Sequence, residues 1–213
     1  MPGMMLDLLP ALAGFALVSS ITPGPNNVMV MASGANFGLR RTVPHILGIA
    51  CGFVVMLLLV GLGLARLFEM FPVIRFVLTL VSAVYLVWLA WKIAHAAPLG
   101  REGARGRPFT FLQAALFQWV NPKAWMMALS AITLYAPGDS TYALLLVAAV
   151  FGIVNLPCVS AWAGLGTQAA RWLSNPARLK AFNLTMAACL LASLAPVLAA
   201  EFAGHHQAAI GRS

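Results

Sequence analysis

The sequence contains very few charged residues. Only 8% of its 213 residues are Asp, Glu, Lys or Arg, whereas 62% are hydrophobic. A soluble globular domain has about 25% charged residues and about 45–50% apolar ones. This chain has too few polar side chains to cover a water-facing surface. The composition therefore excludes an ordinary soluble fold and predicts an integral membrane protein.

Acidic residues are especially scarce. The chain has 5 Asp and Glu against 13 Lys and Arg, a formal net charge of +8. Nucleic-acid binding requires basic side chains that cluster on one solvated face, but here they fall in short breaks between apolar runs. The pattern argues against a nucleic-acid partner and indicates charges that orient segments in a lipid bilayer.

Motifs for redox, metal or hydrolytic chemistry are lacking. The three cysteines have no CxxC spacing and lie outside the first and fourth apolar runs, where a membrane thiol-disulfide electron carrier would need them. An intramembrane hydrolase would need a motif such as GxSxG or HExxH, and neither occurs. The histidines lie at predicted span ends or in the tail: His45, His95, His205 and His206. We predict no enzyme activity, metal or cofactor.

Six apolar runs follow one another along the chain. A spanning helix needs about 20 apolar residues, and the runs predict helices over residues 5–36, 43–66, 72–95, 109–134, 141–167 and 180–202. The predicted fold is an all-α integral membrane protein with six transmembrane helices. We treat residues 1–213 as a single membrane domain, with a linker at 96–108 and a tail at 203–213.

The basic residues predict the orientation of these spans. Nine lie in loops 1–2, 3–4 and 5–6, and three lie on the other side: Arg66, Arg75 and Arg212. Because Lys and Arg accumulate in cytoplasmic loops, the first group is expected in the cytoplasm. With six spans, both termini are then outside the cytoplasm.

The two halves of the chain show a faint internal repeat. An offset of 97 residues lays Pro25 over Pro122, Met29 over Met126 and Ser33 over Ser130. Repeats at about 5–95 and 109–202 would each hold three helices, and an odd number makes the two units run oppositely through the bilayer. Such inverted repeats are typical of secondary transporters, whose substrate sites lie where interrupted helices meet.

Prolines interrupt the first and fourth runs. The first interruption contains Thr22, Pro23, Gly24, Pro25, Asn26 and Asn27, and the second contains Asn121, Pro122 and Lys123. Proline has no N–H, so the carbonyls of Ser19, Ile21 and Gln118 are expected to lose their helical donors. The restarting half-helices present N–H groups and a positive dipole end. These donors and acceptors suit the carboxylate and ammonium of a free amino acid.

Lys123 adds a cation at this depth. Ionisable residues inside spans usually mark a pathway or a site, although Lys123 could instead snorkel to the interface or pair with a carbonyl. Four asparagines either bind substrate or satisfy the broken backbone, and the sequence leaves both open: Asn26, Asn27, Asn121 and Asn155.

Two further patterns have competing interpretations. Gly48 and Gly52 are four residues apart, which favours close helix packing over substrate contact. Four methionines allow a heavy-metal exporter with soft ligands, against the simpler interpretation of core filling; they are Met29, Met31, Met126 and Met127.

The run Thr22-Pro23-Gly24-Pro25-Asn26, followed by Gly34, Gly38, Arg40 and Gly48, resembles the opening of the LysE-type amino-acid exporters (the RhtB group). The later Asn121-Pro122-Lys123-Ala124-Trp125 and the fifth-run residues Phe151, Gly152, Asn155, Trp162 and Gly166 are similar to that family as well. The resemblance covers essentially the whole chain. It implies a six-span inner-membrane exporter of amino acids or their derivatives, driven by the proton motive force and forming a homodimer.

One position departs from the family pattern. The residue after the second proline is often Asp in the family, but here it is Asn26, which leaves no carboxylate at the break to carry a coupling proton. The sequence also shows no anion that would receive a cationic side chain. We therefore expect neutral amino acids as substrates, moved by alternating access between the two halves.

Overall fold

The computed structural model describes residues 8–64, 70, 72–95, 107–136, 138, 140–173, 175–193 and 195, and the regular elements among them are helical. In chain order the helices are α1 (Leu9–Ile21), α2 (Pro25–Phe37), α3 (Leu39–Leu59), α4 (Pro72–Ala94), α5 (Phe111–Phe117), α6 (Pro122–Tyr135), α7 (Thr141–Trp172) and α8 (Pro176–Ala192). A π-helical turn, Val60–Leu64, extends α3, and a 3-10 turn, Gln118–Val120, extends α5. The predicted tail 203–213 and most of the linker 96–108 lie outside the described residues.

The first and fourth apolar runs are each divided into two helices. In the first, α1 ends at Ile21 and α2 begins at Pro25. In the fourth, the 3-10 turn ends at Val120 and α6 begins at Pro122. Proline is favoured as the first residue of a helix, where its missing N–H costs nothing. The predicted interruption of both runs at prolines is confirmed.

Three helix boundaries differ from the sequence prediction. Helix α3 begins at Leu39 rather than 43, because Gly38, at φ 77°, turns the chain directly from α2 into α3. Arg40 therefore lies in the first turn of a helix and not in a loop. Helix α7 runs on through Pro157 to Trp172, and α8 already begins at Pro176.

Among the residues that the structure describes, three helical stretches are long and apolar enough to cross a bilayer: Leu39–Leu64, Val77–Ala94 and Thr141–Ala170. Their outer faces carry exposed large hydrophobic side chains, such as Val84 and Ile153, which are 63% and 74% exposed. These features support a multi-pass helical membrane protein. The half-helices of the broken runs have only 13, 13, 7 and 14 residues, too few for one of them to span alone.

Glycines create two closely packed helix pairs. A Cβ at Gly34 of α2 would collide with the backbone of Ala163 of α7, and one at Gly166 would collide with Met31. In the same way, Gly48 and Gly52 of α3 lie against the backbone of α5. The prediction that Gly48 and Gly52 serve helix packing is confirmed. Both pairs, α2–α7 and α3–α5, join segments from opposite halves of the sequence.

Candidate functional site

The two interruptions lie directly against each other. Lys123 Nζ donates to the Thr22 carbonyl at 2.6 Å, to Thr22 Oγ1 at 2.9 Å and to the Pro23 carbonyl at 3.4 Å. Asn26 and Gln118 exchange side-chain hydrogen bonds of 2.9 and 3.1 Å. Residues about 100 positions apart in sequence thus form one polar junction.

A small cavity lies at this junction. It leaves about 20 Å³ for the centre of a water molecule, which is room for about one water and not for an amino acid. Its polar lining consists of Ser19, Ser20, Asn26, Asn27, Asn121, Lys123 and Asn155. Its remaining lining residues are Gly24, Phe53, Ala124, Met127 and Val159.

The structure divides the ten predicted site residues into two groups. Six line the cavity: Gly24, Asn26, Asn27, Asn121, Lys123 and Asn155. Thr22 and Pro23 are exposed and accept the Lys123 hydrogen bonds, while Pro25 and Pro122 begin the half-helices α2 and α6.

The three carbonyls expected to lack donors all have protein partners. The Ile21 carbonyl accepts from Trp162 Nε1 at 3.0 Å, and the Ser19 carbonyl accepts from Thr22 Oγ1 at 3.1 Å. The Gln118 carbonyl accepts from the Asn121 N–H at 3.2 Å. The prolines thus remove the helical donors, as predicted, and other groups of the protein replace them, because backbone groups at membrane depth must be satisfied.

Two of the asparagines stabilise the interrupted backbone. Asn27 Nδ2 donates to the carbonyls of Ser20 and Thr22, each at 2.8 Å. Asn121 Oδ1 accepts from the Lys123 N–H at 3.1 Å and caps α6. By contrast, α2 begins after Gly24 and has no side-chain cap. The α2 N-terminus therefore retains the stronger anion-binding character.

Asn155 of α7 has an unpaired polar atom. Its side chain is 5% exposed and lines the cavity, and its Nδ2 donates to Ser20 Oγ at 3.3 Å. Its Oδ1 is buried and has no hydrogen-bond partner among the residues that the structure describes. An unsatisfied buried acceptor costs about 1–3 kcal/mol, so this oxygen is the strongest candidate in the cavity wall for accepting a hydrogen bond from a ligand.

The site contains polar residues that sequence reasoning did not select. Ser20 accepts a hydrogen bond from Asn155, and Gln118 donates one to Asn26. Trp162 donates to the carbonyl of Ile21, the last residue of α1. The available signal was the presence of a serine and a glutamine within apolar runs close to the prolines. The methionines do not converge on one site, since Met126 is 60% exposed while Met127 lines the cavity and Met29 packs in a separate core cluster.

Comparison with known proteins agrees with this arrangement. The family model for the LysE type translocator matches residues 17–201, which include both interruptions and the cavity lining. The chain belongs to the LysE type translocator family. The resemblance inferred from its motifs is thus confirmed. No solved structure matches this LysE type translocator.

Several relatives of this translocator have a named activity. The cysteine/O-acetylserine efflux proteins of Salmonella choleraesuis (strain SC-B67) and Salmonella typhimurium (strain LT2) are each 36% identical to it over 129 residues. The cysteine/O-acetylserine efflux protein of Escherichia coli (strain K12) is 33% identical over 129 residues. Each match covers 60% of this chain and 65% of the relative, which is just under two thirds of the relative's length.

Proposed function

We propose that this protein exports small neutral amino acids, such as cysteine and O-acetylserine, across the bacterial inner membrane. One observation carries the proposal: a cation, Lys123, and an unpaired buried acceptor, Asn155 Oδ1, belong to the wall of one cavity. A zwitterion needs both kinds of group. The family and the names of the relatives point to the same class of solute.

The substrate carboxylate binds between Lys123 and the uncapped N-terminus of α2. In the described structure the Lys123 ammonium donates hydrogen bonds to the carbonyls of Thr22 and Pro23. A substrate carboxylate must therefore compete with these neutral acceptors. It does so favourably, because a carboxylate adds the attraction of opposite charges to the charge-assisted hydrogen bond that the ammonium already makes. Binding thereby weakens one link between the two interruptions.

The substrate ammonium binds Asn155 Oδ1. This oxygen replaces the carbonyls of Ser19, Ile21 and Gln118, which already accept hydrogen bonds within the protein. The substrate side chain then lies against Phe53, Met127 and Val159. No Asp or Glu occurs in α1 to α8, which disfavours amino acids with a cationic side chain.

The described conformation is closed, because its cavity holds about one water. Substrate entry requires the surrounding helices to separate, and alternating access does this on each side in turn. We take the α2–α7 pair and the α3–α5 pair as the moving units, because the glycine contacts within each pair are with backbone, whereas α3 and α7 meet through side chains such as Phe53 and Phe151. Movement of the two sequence halves as units would instead separate both closely packed pairs.

The proposed topology has six spans in two inverted repeats. Its support is the equivalent position of Pro25 and Pro122, each the first residue of a half-helix. Placing the Arg-rich loops in the cytoplasm leaves both termini outside. That this protein forms a homodimer is a prediction from its resemblance to the family.

Replacement of Asn155 by Leu tests the site. Counterflow of labelled cysteine and O-acetylserine is measured in proteoliposomes, with lysine as a cationic comparison. We expect unmodified protein to exchange the two neutral substrates and not lysine, and Asn155→Leu to weaken apparent affinity roughly tenfold or more through loss of a hydrogen bond to a charged group.

Ser160→Ala is the matched control, because Ser160 lies on the same helix outside the cavity lining and bonds only the Leu156 carbonyl among described contacts. It should leave exchange unchanged. Equal exchange by Asn155→Leu and unmodified protein would remove Asn155 from the site, and absence of exchange by the unmodified protein would contradict the proposed substrates.

A further inference from the structure

His45 is a buried histidine with one unused ring nitrogen. It lies two turns into α3 and is only 1% exposed, although the sequence places it near a span end. Its Nδ1 lies 3.0 Å from Ser33 Oγ of α2, and its ring stacks on Phe109 with centroids 5.2 Å apart. Its Nε2 is buried, and no described residue forms a hydrogen bond with it.

This histidine lies across the boundary between the two closely packed helix pairs. His45 belongs to α3, one turn before Gly48, which contacts α5. Its partner Ser33 belongs to α2 and precedes Gly34, which contacts α7. The His45–Ser33 hydrogen bond therefore joins the bodies whose separation would open the cavity.

Helix α2 connects His45 to the cavity. Asn26 lines the cavity at the start of α2, and Ser33 lies seven residues further along the same helix, about 10 Å at 1.5 Å per residue. A displacement of α2 during substrate binding is therefore transmitted to the Ser33–His45 hydrogen bond.

Other groups that could exchange a proton are few. The five carboxylates of the chain, Asp7, Glu69, Glu102, Asp139 and Glu201, all lie outside α1 to α8. Helices α2 and α5 contain no titratable residue. Two helices packed against α3 carry other titratable or charged residues: Lys123 and Tyr135 on α6, and Tyr142, Cys158 and Arg171 on α7. Arg40 and Arg41 lie at the start of α3, and Arg107 lies two residues before Phe109.

We propose that His45 carries the proton that is exchanged for the exported substrate, an inference that rests on the proposed function. In the described closed conformation the ring is neutral, because an imidazolium would bury a charged Nε2–H that has no acceptor among the described residues, and substrate moves outward with the ring in this form. When the helix pairs separate on the outer side, substrate leaves, water reaches the ring, and the ring binds one proton. The empty protein closes again with the ring protonated, its N–H groups bonded to Ser33 Oγ and to water that entered with the opening, and releases the proton to water on the cytoplasmic side. One proton thus moves inward for each substrate that moves outward, and neutral histidine is regenerated.

His45→Gln in proteoliposomes separates coupling from binding. Counterflow without a pH gradient needs substrate exchange alone, whereas accumulation driven by an imposed pH gradient needs proton movement. We expect His45→Gln to keep counterflow, to lose gradient-driven accumulation, and to lose the substrate-induced pH change inside the vesicles. His95→Gln is the matched control, because His95 is exposed at the end of α4, and it should keep all three.

Several results would overturn this proposal. Gradient-driven accumulation by His45→Gln would overturn it, because the variant lacks the proposed proton carrier. Loss of both counterflow and accumulation in folded His45→Gln would also overturn it, because it would indicate a structural role. If unmodified protein shows counterflow without any response to a pH gradient, the proton proposal fails while the proposed function stands. If it shows no counterflow, the proposed function fails as well.

Ser33→Ala provides an independent test should His45→Gln not fold. It keeps the imidazole and removes the hydroxyl that bonds Nδ1. We expect a shifted pH dependence of gradient-driven transport with counterflow retained. An unchanged pH profile would count against His45 as the proton carrier.

Discussion

The two interruptions occupy equivalent positions in the sequence repeat but have complementary chemistry. The first spans three residues, Thr22 to Gly24, and presents uncharged carbonyl and hydroxyl acceptors. The second is the single residue Asn121, and the Lys123 cation follows in the first turn of α6, directly after Pro122. In the closed structure the cation of the second interruption occupies the acceptors of the first. The second interruption thus supplies the cation and the first supplies its acceptors. Residues next to both interruptions line the cavity.

Removing the cation should have the largest effect on this complementarity. Lys123→Met keeps the approximate length of the side chain and removes its hydrogen bonds to Thr22, together with the bond proposed for the substrate carboxylate. Because a hydrogen bond to a charged group contributes about 1.5–3 kcal/mol, we expect substrate affinity in counterflow to fall roughly 10- to 150-fold.

Lys92→Met is the matched control for that prediction. Lys92 lies on α4, where its ammonium is 4.6 Å from the centre of the exposed Trp88 ring, away from the cavity lining. It should leave affinity unchanged. Similar affinity in Lys123→Met and Lys92→Met would show that Lys123 only stabilises the end of α1.

The Asn26–Gln118 pair tests whether the two interruptions are energetically linked. Asn26→Leu leaves the fully buried Gln118 with only its bond to the Ala114 carbonyl, and Gln118→Leu removes the side-chain partner of the half-buried Asn26, whereas the double change removes both amides. We therefore expect the double variant to be more stable than the sum of the single effects predicts, with a coupling of about 0.6–1.7 kcal/mol for hydrogen bonds within membrane proteins. Thermal unfolding in detergent measures the cycle, and additive effects would show that the contact contributes nothing.

The smallest effect is expected at Gly24. A Cβ there would lie 2.5 Å from Lys123 Cδ, while the extended backbone of Gly24, at φ −175°, accepts any residue. Gly24→Ala should displace the flexible lysine side chain at a cost of about 0.5–1.5 kcal/mol, a roughly two- to twelvefold loss of affinity. Gly14→Ala, with nothing within 4 Å of its Cβ, should have no effect. A full loss of transport in Gly24→Ala would point to backbone contact with substrate.

Much of the site's position could be predicted from local sequence. Pro25 and Pro122 mark the helix starts because a residue without an N–H is favoured in the first turn, although Pro157 lies inside α7, and six of the ten predicted residues line the cavity. The asparagines were ambiguous because an amide can bind either backbone or ligand. The tertiary contacts distinguish these roles. Asn27 and Asn121 form hydrogen bonds with backbone groups, whereas Asn155 Oδ1 has no partner among the described residues.

His45 shows what the local pattern could not reveal. Its position near Arg40 and Arg41 suggests an interfacial residue, yet Phe109 covers its ring and Ser33 bonds it. Burial of a side chain depends on which other helices pack on it. In this case the covering residue lies 64 positions further along the chain, in the segment before α5.

The sequence by itself determined the membrane class, the apolar helices, the two interruptions and the family, because composition and the missing N–H of proline act locally. Only the tertiary structure decided which polar groups remain available. Trp162 reaches the Ile21 carbonyl 141 residues away, and Lys123 reaches Thr22 across 101. Helix packing selects such partners, because it brings residues together that are distant in sequence. The same packing leaves Asn155 Oδ1 and His45 Nε2 with no hydrogen-bond partner among the described residues.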